Sequence, residues 1–391
     1  MKVTFVSNRL TYHQLPFCEE MFKKLGSEFK FISTQPIEKD RINMYPNIEK
    51  YTHFVIEGYK KEQASIKQLV EDSDVVILGS ASDSLIRDRL KKRKLTFKYS
   101  ERLYKEGLSL KKLPRAFVSS WIHHGKFQKY PIYMLCASAY TAGDLNIFKN
   151  YKNRTFKWGY FPKSKEYDIE DLIKIKDNDV TEILWVGRLI DLKHVEHAIE
   201  VIKRLEKENY DFKLNIIGSG ECLDDLKKIV KNYNLNKKVN FLGYMCPDEV
   251  RRYMERSNIY LFTSDFNEGW GAVLNESMNS GCAVIASHAI GSVPFLIKEN
   301  ENGLIYKYGD LDEFYKKLKL LMENKELQIK MGLNAYYTIR NIWSAENATD
   351  RLLQLIESLL YGKNISFDSG PCSKAEPIKE KDMYSYVKNN R

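Results

Sequence analysis

The chain has 391 residues, too many for one ordinary core, and its 43% hydrophobic content can fill two, which excludes wholesale disorder. The formal net charge of +10 suits either an anionic partner or a solvated, lysine-rich face, and no apolar run approaches the roughly 20 residues of a membrane span. The six cysteines (Cys18, Cys136, Cys222, Cys246, Cys282, Cys372) form no C-x-x-C pair, which argues against a zinc site or a disulfide framework and suits a cytoplasmic location.

The first half alternates strands and helices. Val3–Ser7 is an apolar strand, followed by neither the h-region nor the cleavage site of a secretory signal. Pro16 can open a helix, with Phe17, Met21, Phe22 and Leu25 on one face. Phe29–Ser33 is a second strand, and residues 34–62 lack a clear period and read as mixed loop. Val75–Leu78 is the short all-apolar run of a central parallel strand. Asp72-Ser73-Asp74 mimics a D-x-D metal motif but precedes its strand, so no metal role is assigned to it. Residues 95–99 and 133–137 supply further strands, and His123-His124 reads as a helix face. Between residues 86 and 130, 14 lysines and arginines stand against three acidic residues, which accounts for the whole charge surplus. Leu90, Leu95, Phe97, Tyr99 and Leu110 are among the apolar residues interleaved with them. That mixture suits an anionic surface at the inner face of the plasma membrane, with Lys91, Lys92, Arg93 and Lys94 as its centre; no nucleic-acid-binding motif accompanies it.

The second half is more regular. Strand-like runs at 183–186, 214–217, 239–242, 259–262, 283–286 and 304–306 alternate with amphipathic stretches, the clearest over 194–208, where Val195, Ala198, Ile199, Ile202 and Leu205 form one stripe. This alternation builds a parallel sheet whose ligands sit at the carboxyl ends of the strands. Four of those ends carry polar or glycine motifs: Gly187-Arg188 with Lys193 beyond, Gly218-Ser219-Gly220, Gly243-Tyr244, and Glu268-Gly269-Trp270-Gly271 leading into a helix that carries Glu276. Arg188 and Lys193 can neutralise a diphosphate. Gly269 and Gly271 can open backbone N–H groups to an anion at the helix start. Glu268 and Glu276 are carboxylates able to accept hydrogen bonds from sugar hydroxyls. The G-x-G turn lacks the third glycine of the dinucleotide fingerprint, since Leu223 stands there, which argues against a dehydrogenase.

The E-x7-E pair Glu268/Glu276, taken with these strand-end motifs and with Gly291-Ser292-Val293-Pro294 and Asn302-Gly303-Leu304, resembles the retaining glycosyltransferases of family 4 over about residues 180–360. The resemblance implies an α/β protein of the GT-B fold, two Rossmann-like domains facing a central cleft. The charged, linker-like stretch over 163–179 divides the chain into an acceptor-side domain over 1–162 and a nucleotide-sugar domain over 163–345, followed by a closing helix over 346–362 placed to cross back and, with Gly370-Pro371 and many charges, a poorly ordered tail over 363–391. The resemblance implies that Arg188 and Lys193 bind the donor diphosphate, that Glu268 orients the transferred sugar, and that Gly187, Gly218, Gly269, Trp270 and Gly271 shape the donor site. Glu276 would hold the ribose and Tyr244 would lie beside the base. The activity implied is transfer of a hexose-type sugar, with retention, from a nucleotide sugar (UDP before GDP) to a saccharide or lipid-linked acceptor in surface polysaccharide or glycolipid synthesis, without a metal cofactor. The loop after the first strand, Asn8–His13, lacks the glycines many members carry, leaving His13 and Glu101 as acceptor-side candidates. A nucleotide-sugar epimerase of the same fold and a non-catalytic paralogue that partners another transferase are the rival readings.

Overall fold

The computed structural model describes residues 1–37, 47–177, 179–379 and 382–389. Part of the mixed loop expected over 34–62 therefore lies outside the described residues. The chain forms two compact units, residues 1–163 with 342–379, and residues 164–341 with 380–391.

The first unit is built on the strands β1 (Val3–Ser7), β2 (Phe29–Ser33), β3 (Val55–Glu57), β4 (Val75–Leu78), β5 (Thr96–Ser100), β6 (Ile132–Cys136) and β7 (Thr155–Lys157). Among the described residues they pair in the order β3-β2-β1-β4-β5-β6-β7, all parallel. Every residue of β1 and β4 is buried, as central strands covered on both faces require. The order reverses between β1 and β4, which opens a crevice at their carboxyl ends. The helix Leu15–Leu25 starts with Pro16 in its first turn and buries Leu15, Phe17, Cys18 and Met21. The helix Ala345–Tyr361 packs beside it, with Lys24 and Asp350 paired at 2.5 Å.

The second unit carries β8 (Thr181–Val186), β9 (Phe212–Ile217), β10 (Val239–Gly243), β11 (Ile259–Phe262), β12 (Ala283–Ser287) and β13 (Leu304–Tyr306). Their order is β10-β9-β8-β11-β12-β13, again parallel, with the reversal between β8 and β11. The helix Val195–Lys207 buries the predicted stripe, Val195, Ala198, Ile199, Ile202 and Leu205, against this sheet. Each of the four larger side chains contributes about 1.5–3 kcal/mol by leaving water, and Ala198 less.

Two expectations are corrected. Residues 370–379 of the tail, expected to be poorly ordered, are packed within the first unit. Cys372, Ala375 and Ile378 are buried, Lys157 N–H donates to Ser373 O at 2.7 Å, and Thr155 Oγ1 donates to Ala375 O at 2.9 Å. These contacts extend the exposed edge of β7, whose unpaired backbone groups would otherwise need water. Beyond them the helix Met383–Asn389 groups with the second unit, where His288 meets the Tyr384 ring edge-on at 5.3 Å.

The second correction concerns the basic segment. Leu90, Leu95 and Phe97 belong to the core, and Arg89 is 1% exposed. Its guanidinium donates to the carbonyls of Val70, Ser73, Asp74 and Leu95 and to Thr96 Oγ1, so that cation is a structural staple. Lys91 pairs with Asp88, Lys92 pairs with Glu71, and Lys94 Nζ donates to the Glu71 carbonyl. The apolar residues that do face outward lie further on. Leu110 is exposed, and so are Phe117, Val118, Trp121 and Ile122 of the helix Leu113–His123.

Candidate functional site

In the second unit the loops leaving β8, β9 and β10 are bonded to one another. Gly187 N–H donates to Ile217 O at 3.0 Å, Leu189 N–H to Ser219 O at 2.9 Å, and Gly218 N–H to Gly243 O at 2.8 Å. A Cβ on Gly218 would lie 1.8 Å from the Gly187 carbonyl oxygen, and Gly218 has φ +144°, so only glycine permits this approach. The three loops thus form one continuous rim, from which the exposed Arg188 projects.

Lys193 is fixed from the other side of the switch point. Trp185 Nε1 donates to Thr263 Oγ1 at 2.9 Å, and that hydroxyl donates to the Lys193 carbonyl at 2.6 Å. Asp265 N–H donates to Leu192 O at 3.0 Å. The Lys193 ammonium is paired with the Glu268 carboxylate, and Ser264 Oγ donates to the same carboxylate oxygen at 3.0 Å. The ends of β8 and β11 therefore bring Lys193 and Glu268 together in direct contact. Thr263, Ser264 and Asp265 escaped the sequence reading; their signal was a run of three small polar residues directly after an all-apolar strand.

Glu276 lies on the helix Val273–Asn279 with its carboxylate 4.0 Å from Arg251 Nη2. The Tyr260 phenol donates to the Val186 carbonyl at 3.3 Å, and burial first, then the charges of Glu268 and Glu276, push its pKa well above the usual value. Gly271 has φ +81°, and a Cβ there would meet the Phe262 ring at 2.5 Å, which explains the glycine in the turn between Glu268 and the helix. The helix begins at Val273, so Gly269 lies in the preceding turn rather than in its first turn. The Trp270 side chain is buried and donates from Nε1 to Asn275 Oδ1 at 2.9 Å, anchoring that turn. Tyr244 is 64% exposed beyond β10.

His194 follows Lys193 with φ +47°, a left-handed conformation uncommon outside glycine and asparagine. Its ring bonds Glu196 at 2.8 Å through Nδ1 and the Tyr308 phenol at 2.8 Å through Nε2, with Asp265 3.4 Å away. The Glu196 hydrogen bond, then the nearby carboxylate charges, raise its pKa against the pull of burial, whereas burial lowers that of His197. Among the described residues, His194, Glu196 and His197 form the cluster that could hold a metal ion. The two rings are stacked 4.9 Å apart at 14°, however. Imidazole lone pairs lie in the ring plane, so nearly parallel stacked rings are poorly disposed to share one ion. Through Asp265 and Tyr308 the His194 ring ties the turn after Lys193 to neighbouring loops.

In the first unit, the two acceptor-side candidates meet through a residue that the sequence did not single out. The His13 ring lies 6.0 Å from that of Tyr160, and Tyr160 OH donates to Glu101 Oε1 at 2.8 Å. Glu101 and Tyr160 line a cavity of about 570 Å³ at the carboxyl ends of β4 and β5. His123 closes the helix Leu113–His123 beside that cavity, while His124 is buried, so the pair is not simply an exposed helix face.

Residues 168–338 match the model of the family described as glycosyl transferases group 1. An uncharacterized glycosyltransferase of Haemophilus influenzae is 34% identical over 150 residues, 38% of this chain and 42% of that protein. The N-acetylgalactosamine-N,N'-diacetylbacillosaminyl-diphospho-undecaprenol 4-alpha-N-acetylgalactosaminyltransferase of Campylobacter jejuni is 32% identical over 146 residues, 37% of this chain and 38% of its own. The matches to these two relatives span about two fifths of their lengths. Among solved structures, Anabaena HepE in complex with UDP superposes with a TM-score of 0.70 at 14% identity, over 92% of this chain and 100% of that one. The likeness gives the α/β fold of the GT-B class.

Proposed function

We propose that the chain, whose residues 168–338 match the glycosyl transferases group 1 family, transfers a hexose-type sugar from a nucleotide-sugar donor, with retention of configuration. The observation that carries this reading is the contact of Lys193 with Glu268 at the switch point, beside the exposed Arg188. A donor diphosphate competes for the Lys193 ammonium and takes Arg188 as well, and both cations stabilise the charge that grows on the leaving phosphate. Glu268, released from Lys193, then accepts hydrogen bonds from the sugar hydroxyls, and Glu276 accepts from the ribose. UDP is the favoured nucleotide, supported by the UDP bound to HepE. The acceptor is a saccharide or lipid-linked saccharide of surface polysaccharide or glycolipid synthesis, supported by the Campylobacter relative. Incubation with a panel of nucleotide sugars, scoring nucleotide release and thermal shift together, tests the reading. A shift without turnover with any donor and acceptor would instead favour a binding-only paralogue.

The reaction needs no divalent metal, since Arg188 and Lys193 supply the positive charge on the phosphates. Activity is expected to persist in excess EDTA, and a loss restored by magnesium or manganese would overturn this assignment.

No helix among the described residues is long and apolar enough to cross a membrane. The site of action is the cytoplasmic face of the membrane, reached through the helix Leu113–His123. Phe117, Val118, Trp121 and Ile122 enter the headgroup region there while Lys111, Lys112 and Arg115 meet anionic lipid. Each such cation contributes about 1 kcal/mol. The protein is expected to pellet with phosphatidylglycerol vesicles at low salt and to be released as salt screens the charges. Replacing Phe117 and Trp121 with serine is expected to weaken recovery more than replacing Lys91–Lys94. Equal recovery with neutral vesicles at every salt concentration would discard the surface.

A further inference from the structure

We propose that the cavity at the carboxyl ends of β4 and β5 is a binding site for a phosphate or diphosphate group, so that the acceptor is a phosphorylated saccharide. This rests on the transfer reading above and names its acceptor class.

The argument starts from the charges in the cavity wall. Two carboxylates, Asp83 and Glu101, line it, and both are already engaged by the protein. Asp83 accepts from Lys98 Nζ at 2.6 Å and from His123 Nδ1 at 2.9 Å. Burial works against the Asp83 carboxylate, but Lys98 and His123 outweigh it and hold its pKa below the usual range. Glu101 accepts from Tyr160 and Lys105. Neither carboxylate is left to recruit a cation.

The positive groups are in excess. Arg87 and Lys126 line the same cavity in addition to Lys98. Lys126 Nζ sits 5.0 Å over the Phe127 ring. Lys98 is 8% exposed, its own pKa is lowered chiefly by burial, and Lys126 lowers it further. Lys98 and Lys126 both place an ammonium near the Phe127 ring, at 5.9 and 5.0 Å from its centroid. Asp83 is already shared by Lys98 and His123, so the Arg87 and Lys126 charges in the wall suit an anion with several acceptor oxygens.

The loop 79–84 adds hydroxyls. Ser80, Ser82 and Ser84 line the wall, and Ser82 Oγ lies 2.9 Å from Ser84 Oγ. Several separate cations and hydroxyl donors around one recess suit a tetrahedral oxyanion better than a planar carboxylate, which a single arginine fork would grip. The volume of about 570 Å³ exceeds that of a phosphate and leaves room for an attached sugar ring. The cavity also borders Ile122, on the helix proposed to meet lipid. A diphosphate held here would accordingly come either from a lipid-linked sugar or from a free sugar phosphate.

The test is calorimetry on the full chain with inorganic pyrophosphate, in the Arg188→Ala, Lys193→Ala background that silences the proposed donor phosphates. Pyrophosphate is expected to bind there still, and the added pair Arg87→Gln, Lys126→Gln is expected to weaken it about tenfold or more. Equal affinity with and without that pair would overturn the proposal. UDP titrated into the unmodified protein and into the Arg188→Ala, Lys193→Ala variant tests the donor reading separately. A measurement on the unmodified protein guards against misfolding of the variants: pyrophosphate should slow acetylation of Lys126 while leaving Lys129 unchanged. An unchanged Lys126 rate would also overturn the site. Geranyl diphosphate binding several-fold tighter than pyrophosphate assigns a lipid-linked source, and equal binding assigns a free sugar phosphate.

Discussion

Glu268→Gln is expected to lower turnover at least tenfold while leaving affinity for the bare nucleoside diphosphate within about threefold, the tenfold loss being about 1.4 kcal/mol of transition-state stabilisation. The amide keeps the size of the side chain and can still accept from Ser264 Oγ, which lies 3.0 Å from the carboxylate. It gives up the charge that now pairs with Lys193. If donor phosphate takes Lys193 over, the free protein loses an ion pair and the loaded protein loses a charged acceptor for sugar hydroxyls. The second loss grows as positive charge develops at the sugar, so it falls on kcat rather than on nucleotide binding. Glu276→Gln separates the two roles, because it is expected to weaken the bare nucleotide. Steady-state kinetics and calorimetry with UDP check both. Unchanged turnover in Glu268→Gln would remove that carboxylate from the reaction.

The strands of the second unit could be read from the sequence because each is a short apolar run ending in glycine or a polar group, as a doubly covered parallel sheet demands. The stripe on Val195–Lys207 was equally plain, since an amphipathic helix writes its own period. The strands β3 and β7 escaped because each is only three residues long and only part buried. Their assignment depends on neighbours far along the chain, including the segment around Cys372 that completes the β7 edge. Local patterning carries no record of such a contact.

The candidate donor site was legible as residue types, whereas its contacts were not. That Lys193 pairs with Glu268, and that Thr263 and Trp185 lock the Lys193 backbone, depends on β8 and β11 lying side by side. The charge surplus over 86–130 misled for the opposite reason. A count of lysines and arginines treats every cation as solvated, yet Arg89 spends its charge on buried carbonyls. The sequence did not separate the outward apolar residues Phe117 and Trp121 from the core residues Leu90, Leu95 and Phe97, because exposure of a helix face is decided by what the rest of the fold leaves uncovered.

Gly218→Ala is expected to cost both stability and nucleotide binding. The added methyl would lie 1.8 Å from the Gly187 carbonyl oxygen, which is backbone and cannot swing aside as a flexible side chain would. The loops must separate, and the bonds from Gly187 N–H to Ile217 O and from Gly218 N–H to Gly243 O stretch with them. Overpacking of this kind costs roughly 1–3 kcal/mol, and an alanine forced to φ near +144° adds about 1–3 kcal/mol of backbone strain. For a unit of this size the sum lowers the melting midpoint by on the order of 10 °C. Separation also carries Arg188 away from the rim, so affinity for the nucleoside diphosphate falls along with stability. Gly243→Ala is the control. Gly243 also has a positive φ, +74°, but a Cβ there meets nothing within 4 Å, so that variant bears only the smaller strain, about 1 kcal/mol. Thermal melts and UDP calorimetry on the two variants decide the matter. If Gly218→Ala melts and binds as Gly243→Ala does, the close contact of the two loops is not what holds the site in place.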